Sequence, residues 1–428
     1  MVQVKFYEVI IITALMSIFS VAAVNAEEIS GDAELQRQFS IGMDALEHDR
    51  VKTAREAFNS ILSSNPELHR ARLELARAYY LSLDYDNAQR EAQAVLDDPN
   101  TPVFVRTTLL AFLAQIEEDI KRLKVRHHWT PSIYTGFMHD TNVNVGPDRD
   151  VINVRGQSFT ISGTEESDTA FVINPGLTHT YNPGKTFNLG EHSGFSLWQS
   201  QLNGYYRSYF DETDFNLGVL TFRTGPAWVV PRHWRAGIGF QFDQIWLGDD
   251  RLAIFGTLNP NITWQLGENT EVTLDGVLAR RYYNKQRDSD REGWYRSAEI
   301  SAAHYFNGGK FGIQGGAGYA RFDADGGRFS YRGPNAFVGV IAQPWKNGSV
   351  HARAAYRNYD YRGEELIFLT ARDDDEFRYT VGFQHNIQGG LLAKWAVLGN
   401  WIHTNNQSNV AIFDYDRNQY NLGVSRSF

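Results

Sequence analysis

After His128 the sequence stops repeating every three to four residues and begins to alternate every two, and the alternation runs to its last residue. Phe377, Tyr379, Val381, Phe383 and Ile387 share one face of such a run, while Arg378, Thr380, Gly382, Gln384 and Asn386 share the other. Successive side chains of a strand point to opposite sides, so the run is a strand with one apolar and one polar face. A soluble sandwich also alternates, but it seldom carries so many long strands separated by charged loops. The connections point to a membrane. Tight segments rich in Gly, Pro and Asn (VPRHW, LGENT, NGGK, PWKNG, NIQGG) alternate with long polar ones (NKQRDSDRE, FDADGGRFSYRG, YDYRGEELIFLTARDDDEF, HTNNQSNVAIFDYDR). Transmembrane barrels have short periplasmic turns and longer outer loops. Residues 128–428 are therefore expected to form an antiparallel outer-membrane β-barrel of about fourteen strands, an even number as such barrels require. The strands are expected to begin near Pro131, Ala170, Phe195, Phe215, Ala236, Arg251, Glu271, Gly293, Phe311, Pro334, Val350, Glu376, Leu392 and Arg417. An even count puts both barrel ends in the periplasm. An aromatic content of 14% and 37 glycines suit interfacial girdles and bending strands.

The preceding residues read differently. Lys5, an apolar run from Val9 to Val24 and small residues at Val24-Asn25-Ala26 form a signal-peptide pattern over residues 1–26. The run is short for a spanning helix, which needs about 20 residues. Residues 27–127 read as an all-α tetratricopeptide-like domain in the periplasm. Ala54 aligns with Ala88 and Leu62 with Leu96 at a period of about 34 residues. Pro66 and Pro99 close the two units, because proline cannot continue a helix. Leu73, Ala76 and Tyr80 lie along one helical face. A third helix, from about Val103 to Lys124, caps this short array. The whole is an α + β chain, helical first and barrel second.

Several functions are disfavoured. A net charge of −9 does not suit a nucleic-acid partner, which needs a basic surface. The sequence contains no G-x-S-x-G elbow and no H-E-x-x-H, and an enzyme is not expected. No cofactor or metal is expected either. His127 and His128 point opposite ways on an extended chain. Asp373-Asp374-Asp375-Glu376 reads as a solvated stretch of an outer loop. Arg353 and Arg357 fall on the polar side of their strand, as candidate lumen charges that form a network or guide a passing client.

The final strand places Tyr420, Leu422, Val424 and Phe428 on one face, with Arg426 interrupting it. A terminal Phe on such a strand resembles the signal read by the barrel assembly machinery. At the other end of the barrel, WTPSIYTGFMHDTNVNVGP carries Asp140, Asn142 and Asn144 after the first strand. This stretch resembles the barrel start of the surface lipoprotein assembly modulator (Slam) family. The resemblance implies a periplasmic tetratricopeptide domain, a fourteen-stranded barrel, and delivery of lipoprotein or secreted client proteins across the outer membrane. It implies as partners the client, the assembly machinery, outer-membrane lipid and periplasmic chaperones. An exopolysaccharide export port joins the same two parts but usually carries many more repeats. A porin-like channel leaves the helical domain unexplained.

Overall fold

The computed structural model describes residues 33–428 apart from positions 155 and 162; the leader expected at 1–26 lies outside the described residues.

The helical unit contains α1 (Ala33–Glu47), α2 (Val51–Ser64), α3 (His69–Leu81), α4 (Tyr85–Leu96) and α5 (Val103–Lys124). α1 packs on α2 and α3 on α4, with α3 also against α2 and α5 against α4. The two hairpins repeat in backbone detail. Asp49 and Leu83 both adopt left-handed φ (56° and 60°) where the first helix of each pair ends. Ala54 and Ala88 are both fully buried, and Pro66 and Pro99 fall in the connections after α2 and α4. Phe58 is completely buried, and a Cβ at Gly42 would stand 2.6 Å from its ring, so α1 approaches α2 this closely only with glycine there. On α3 the most buried apolar residues are Ala71, Leu75, Ala76, Ala78 and Tyr79, while Leu73 and Tyr80 are only partly covered. The stripe is wider than the single face read from the sequence because α3 lies between α2 and α4. Its Glu74 is also buried, 3.1 Å from Arg70 and 3.6 Å from Arg77. Burial outweighs these two cations and raises its carboxyl above the ordinary range.

The barrel contains β1 (His127–Asp140), β2 (Asp168–Tyr181), β3 (His192–Tyr209), β4 (Leu217–Val230), β5 (Trp234–Leu247), β6 (Asp250–Leu266) and β7 (Thr270–Tyr283). Then follow β8 (Gly293–Phe306), β9 (Phe311–Ala324), β10 (Tyr331–Trp345), β11 (Gly348–Glu364), β12 (Ala371–Asn386), β13 (Trp395–Ser408) and β14 (Tyr415–Ser427). Neighbours in sequence are neighbours in the sheet; β14 pairs with β1 and β2 with β3, which closes the cylinder. Two short strands, Val151–Val154 and Gln157–Thr160, form a hairpin in the β1–β2 loop, and Thr186–Leu189 pairs with the start of β3. Each expected start lies within about five residues of an observed one, though Phe215 and Leu392 fall in single helical turns just before theirs. The apolar set, including Phe137, Leu202, Phe222, Leu274, Ile300, Val338 and Leu422, is exposed on the outer face, where lipid covers it.

A fourteen-residue strand is about 46 Å long and, tilted by about 40°, rises about 35 Å. The apolar band of such a barrel is only about 25 Å tall, so the strands continue above the membrane. This corrects the placement of Asp373–Glu376. They lie inside β12, in ladder register with β11 and β13, and not in a loop. Asp374 and Glu376 are buried on the inner face, and Asn358 donates to Asp373 at 2.9 Å and Asp375 at 3.1 Å. Backbone pairing on both sides overrides the low strand propensity of Asp. Three of the four long outer segments are correspondingly shorter than expected, while NKQRDSDRE spans the whole β7–β8 connection, and β5 joins β6 through Gly248 and Asp249 alone.

Candidate functional site at the barrel seam

The seam between β1 and β14 is where the first and last strands of the barrel meet. Its ladder runs from Ser132↔Ser427 to Asp140↔Gln419. That is nine residue pairs, against fourteen between β8 and β9.

The upper end is fastened by side chains. Asp140 is the last residue of β1, on the inner face, and is fully buried. Arg417 of β14 donates to it through Nε (2.9 Å to Oδ1) and Nη2 (2.5 Å to Oδ2). Gln419 Nε2 and the Tyr209 hydroxyl, at the end of β3, each donate to Oδ2 at 2.9 Å, and the backbone N–H of Asn142 reaches Oδ1 at 3.2 Å. A bidentate guanidinium–carboxylate pair whose remaining acceptor sites are filled is the arrangement in which a buried charge is tolerated. Asn142, also fully buried, donates to the carbonyls of Gly146 (2.8 Å) and Asp416 (3.0 Å) and accepts from the Gly146 N–H (2.8 Å). Asn144 donates to the Thr164 carbonyl (2.7 Å) and accepts from the N–H groups of Gly146 (3.1 Å) and Glu166 (3.2 Å). Between them Val143 is buried with Met138, Ala170, Val172 and Tyr209. The alternating polar residues thus fold the beginning of the β1–β2 loop onto its end and tie both to β14.

Halfway down, Gly136 faces Gly423 in register. A Cβ on Gly136 would come 2.4 Å from the Leu422 carbonyl oxygen, and one on Gly423 would come 2.7 Å from the Tyr134 ring. The Tyr134 ring covers the gap that the two glycines leave. At the lower end the Phe428 N–H donates to the Pro131 carbonyl at 3.0 Å. Tyr420, Leu422 and Phe428 are exposed on the outer face, Val424 is half-buried beside them, and the Arg426 guanidinium lies 4.5 Å from the Phe428 ring.

Elsewhere in the lumen, Arg353 stacks on Phe337 at 3.7 Å, and Arg357 stands opposite Glu376 in the ladder. Arg281 lies over Tyr295 and Phe322, and Arg372 over Tyr361 and Phe413. Arg353, Arg281 and Arg372 thus sit on aromatic faces of nearby strands and of the β13–β14 connection, along the inner wall of the barrel. The structure therefore brings Asp140, Asn142 and Asn144 to the seam, with the last strand carrying Tyr420 to Phe428, and leaves Arg353 and Arg357 on β11. Sequence reasoning missed Arg417, Gln419 and Tyr209. The available signal was an arginine on the polar parity of the last strand.

Residues 129–428 match the family described as "Surface lipoprotein assembly modifier". No curated protein matches the chain. Among solved structures the barrel is similar to a Pseudomonas aeruginosa FadL homologue (7% identity, TM-score 0.40, 71% of this chain and 90% of that one). It is also similar to OprD of the same organism (10%, 0.37, 70% and 94%) and to an anion-selective porin from Comamonas acidovorans (12%, 0.37, 71% and 99%). At these TM-scores the three likenesses carry no argument about function. The family match covers nearly all of the closed barrel, whose apolar outer face places it in the outer membrane. The chain belongs to the surface lipoprotein assembly modifier family.

Proposed function

We propose that the chain carries specific client proteins, lipid-anchored or secreted, from the periplasm to the cell surface, and that the barrel yields to them at the β1–β14 seam. The observation that carries the reading is the family match across residues 129–428. The seam is favoured as the route because its ladder is short, contains an opposed glycine pair with no side chains to interlock, and is fastened above by side chains that can exchange partners. A route straight up the lumen passes the arginines and aromatic rings that line its wall.

In this reading the helical unit receives the client in the periplasm. Val103, Phe104 and Leu110 of α5 are exposed and apolar, a surface suited to an extended client or to a chaperone handing it over. The periplasm holds no ATP, so client folding outside supplies the direction. Phe428 and its strand are read by the assembly machinery that inserts the barrel. The test compares a deletion strain with its parent by surface-protease shaving and by proteomics of the medium. One or two proteins should disappear from surface or medium while accumulating inside. An unchanged protein profile would overturn the proposal.

A further inference from the structure

Arginines gather on the lipid-facing side of the barrel at one place. Arg280, Arg296, Arg321, Arg332 and Arg362 belong to the five consecutive strands β7 to β11, each within three residues of the strand's extracellular end. They share the outer face with exposed Leu278, Ile300, Tyr319 and Val338 below them and with Tyr282 and Trp294 at their own level. They therefore stand at the height of the outer-leaflet headgroups.

Three of them form a row. Arg296 is directly opposite Arg321, and Arg321 directly opposite Arg332. Opposed side chains on neighbouring strands lie about 5 Å apart, and like charges there are destabilising. The carboxylates present do not balance the row. Asp323 takes Arg321 at 2.7 Å, Arg362 at 3.1 Å and Arg296 at 3.5 Å. Asp360 takes Arg332 at 3.2 Å, and Asp325 lies 3.7 Å from Arg280. Five guanidiniums meet three carboxylates, and the Arg296 and Arg332 side chains stay more than half exposed. A chain of net charge −9 thus gathers five guanidiniums on one stretch of its lipid-facing surface, and the next acids on that face, Asp373 and Asp375, stand one strand further on.

We propose that this row binds the phosphate groups of an outer-leaflet glycolipid. Guanidinium forks pair with phosphate oxygens two at a time, and basic clusters at membrane surfaces recognise anionic headgroups. The acyl chains lie along Leu278, Ile300 and Val338. Seated there, the lipid holds β7 to β11, the wall away from the β1–β14 seam, in the outer leaflet.

The test uses the full chain in detergent, stripped of lipid and titrated with bisphosphorylated lipid A by native mass spectrometry. The variant Arg296→Gln/Arg321→Gln/Arg332→Gln is compared with wild type and with Arg426→Gln at the opposite end, all checked for folding by heat-modifiable migration. Wild type and Arg426→Gln should bind at least tenfold more tightly than the triple variant, and dephosphorylated lipid A should bind wild type as weakly as the variant. Equal affinity of the triple variant, or of the dephosphorylated lipid, overturns the proposal. Displacement of lipid A by equimolar inorganic phosphate also overturns it, since the site would then hold a free anion. Should the triple variant not fold, Arg321→Gln at the centre of the row should weaken binding at least threefold, and unchanged binding there refutes the site.

Discussion

Replacing Asp140 by alanine removes the one carboxylate that Arg417, Gln419, Tyr209 and the Asn142 N–H all address. Asp140 is fully buried and the Arg417 side chain is 18% exposed, so the guanidinium left behind has little water to turn to. Removing one partner of a buried, hydrogen-bonded ion pair costs about 3–5 kcal/mol, mostly through the charge that remains. Asp140→Ala should therefore destabilise the barrel by about that amount, and Arg417→Ala similarly. The double variant should cost less than the sum by about 2–3 kcal/mol, because the second change removes the charge stranded by the first. Urea unfolding of the full chain in detergent, followed by tryptophan fluorescence, gives the four values of the cycle. Hydrogen exchange locates the effect: β1 and β14 amides should lose protection while the β8–β9 ladder keeps it. A cost below about 1 kcal/mol for Asp140→Ala, or additive single variants, would show that the pair does not hold the seam.

Gly136→Leu should force β14 away and displace Tyr134, costing about 1–3 kcal/mol and speeding exchange across the seam; unchanged protection would mean that the glycine pair is not a close approach. In the helical unit, the folded state holds the Glu74 proton more tightly than the unfolded chain, whose carboxyl has the ordinary value of 4.5. That contribution is complete below 4.5 and is lost as pH rises through the raised folded value. Helix stability read by circular dichroism at 222 nm should fall over that window, and Glu74→Gln should flatten the profile; a flat wild-type profile would refute the burial argument. Val103→Glu/Leu110→Glu should leave barrel stability within about 0.5 kcal/mol of wild type, since both positions are exposed, yet reduce client display several-fold. Normal display would remove α5 from the proposed route.

How much was legible follows from which forces are local. Alternation is written into consecutive residues, so β8 and β9 begin at Gly293 and Phe311, where the sequence placed them. The 34-residue spacing of Ala54 and Ala88 reappears as two equally buried positions and two left-handed turns. The partners of Asp140 were not legible, because Arg417 lies 277 positions away and Tyr209 lies 69; only barrel closure brings them together. Asp373–Glu376 misled for the opposite reason. Four acids in a row are poor strand formers locally, but the ladders of β11 and β13 extend β12 through them. Nothing in the local sequence marks Glu74 as buried; it becomes so because α3 lies between α2 and α4.

The most direct test of the seam as the client's exit is to lock it. The chain contains no cysteine, so Thr135→Cys/Val424→Cys introduces a single pair of thiols on opposed residues of β1 and β14. The Cα separation of opposed antiparallel residues, about 4.5–5.5 Å, suits a disulfide. Ala298→Cys/Tyr319→Cys, opposed on β8 and β9, is the matched control. In a deletion strain complemented with each variant, surface display of the client identified by shaving is measured with the disulfide formed and after reduction. The expected result is loss of display with the seam oxidised, recovery on reduction, and no effect of the control. Full display through a quantitatively cross-linked seam would contradict the account.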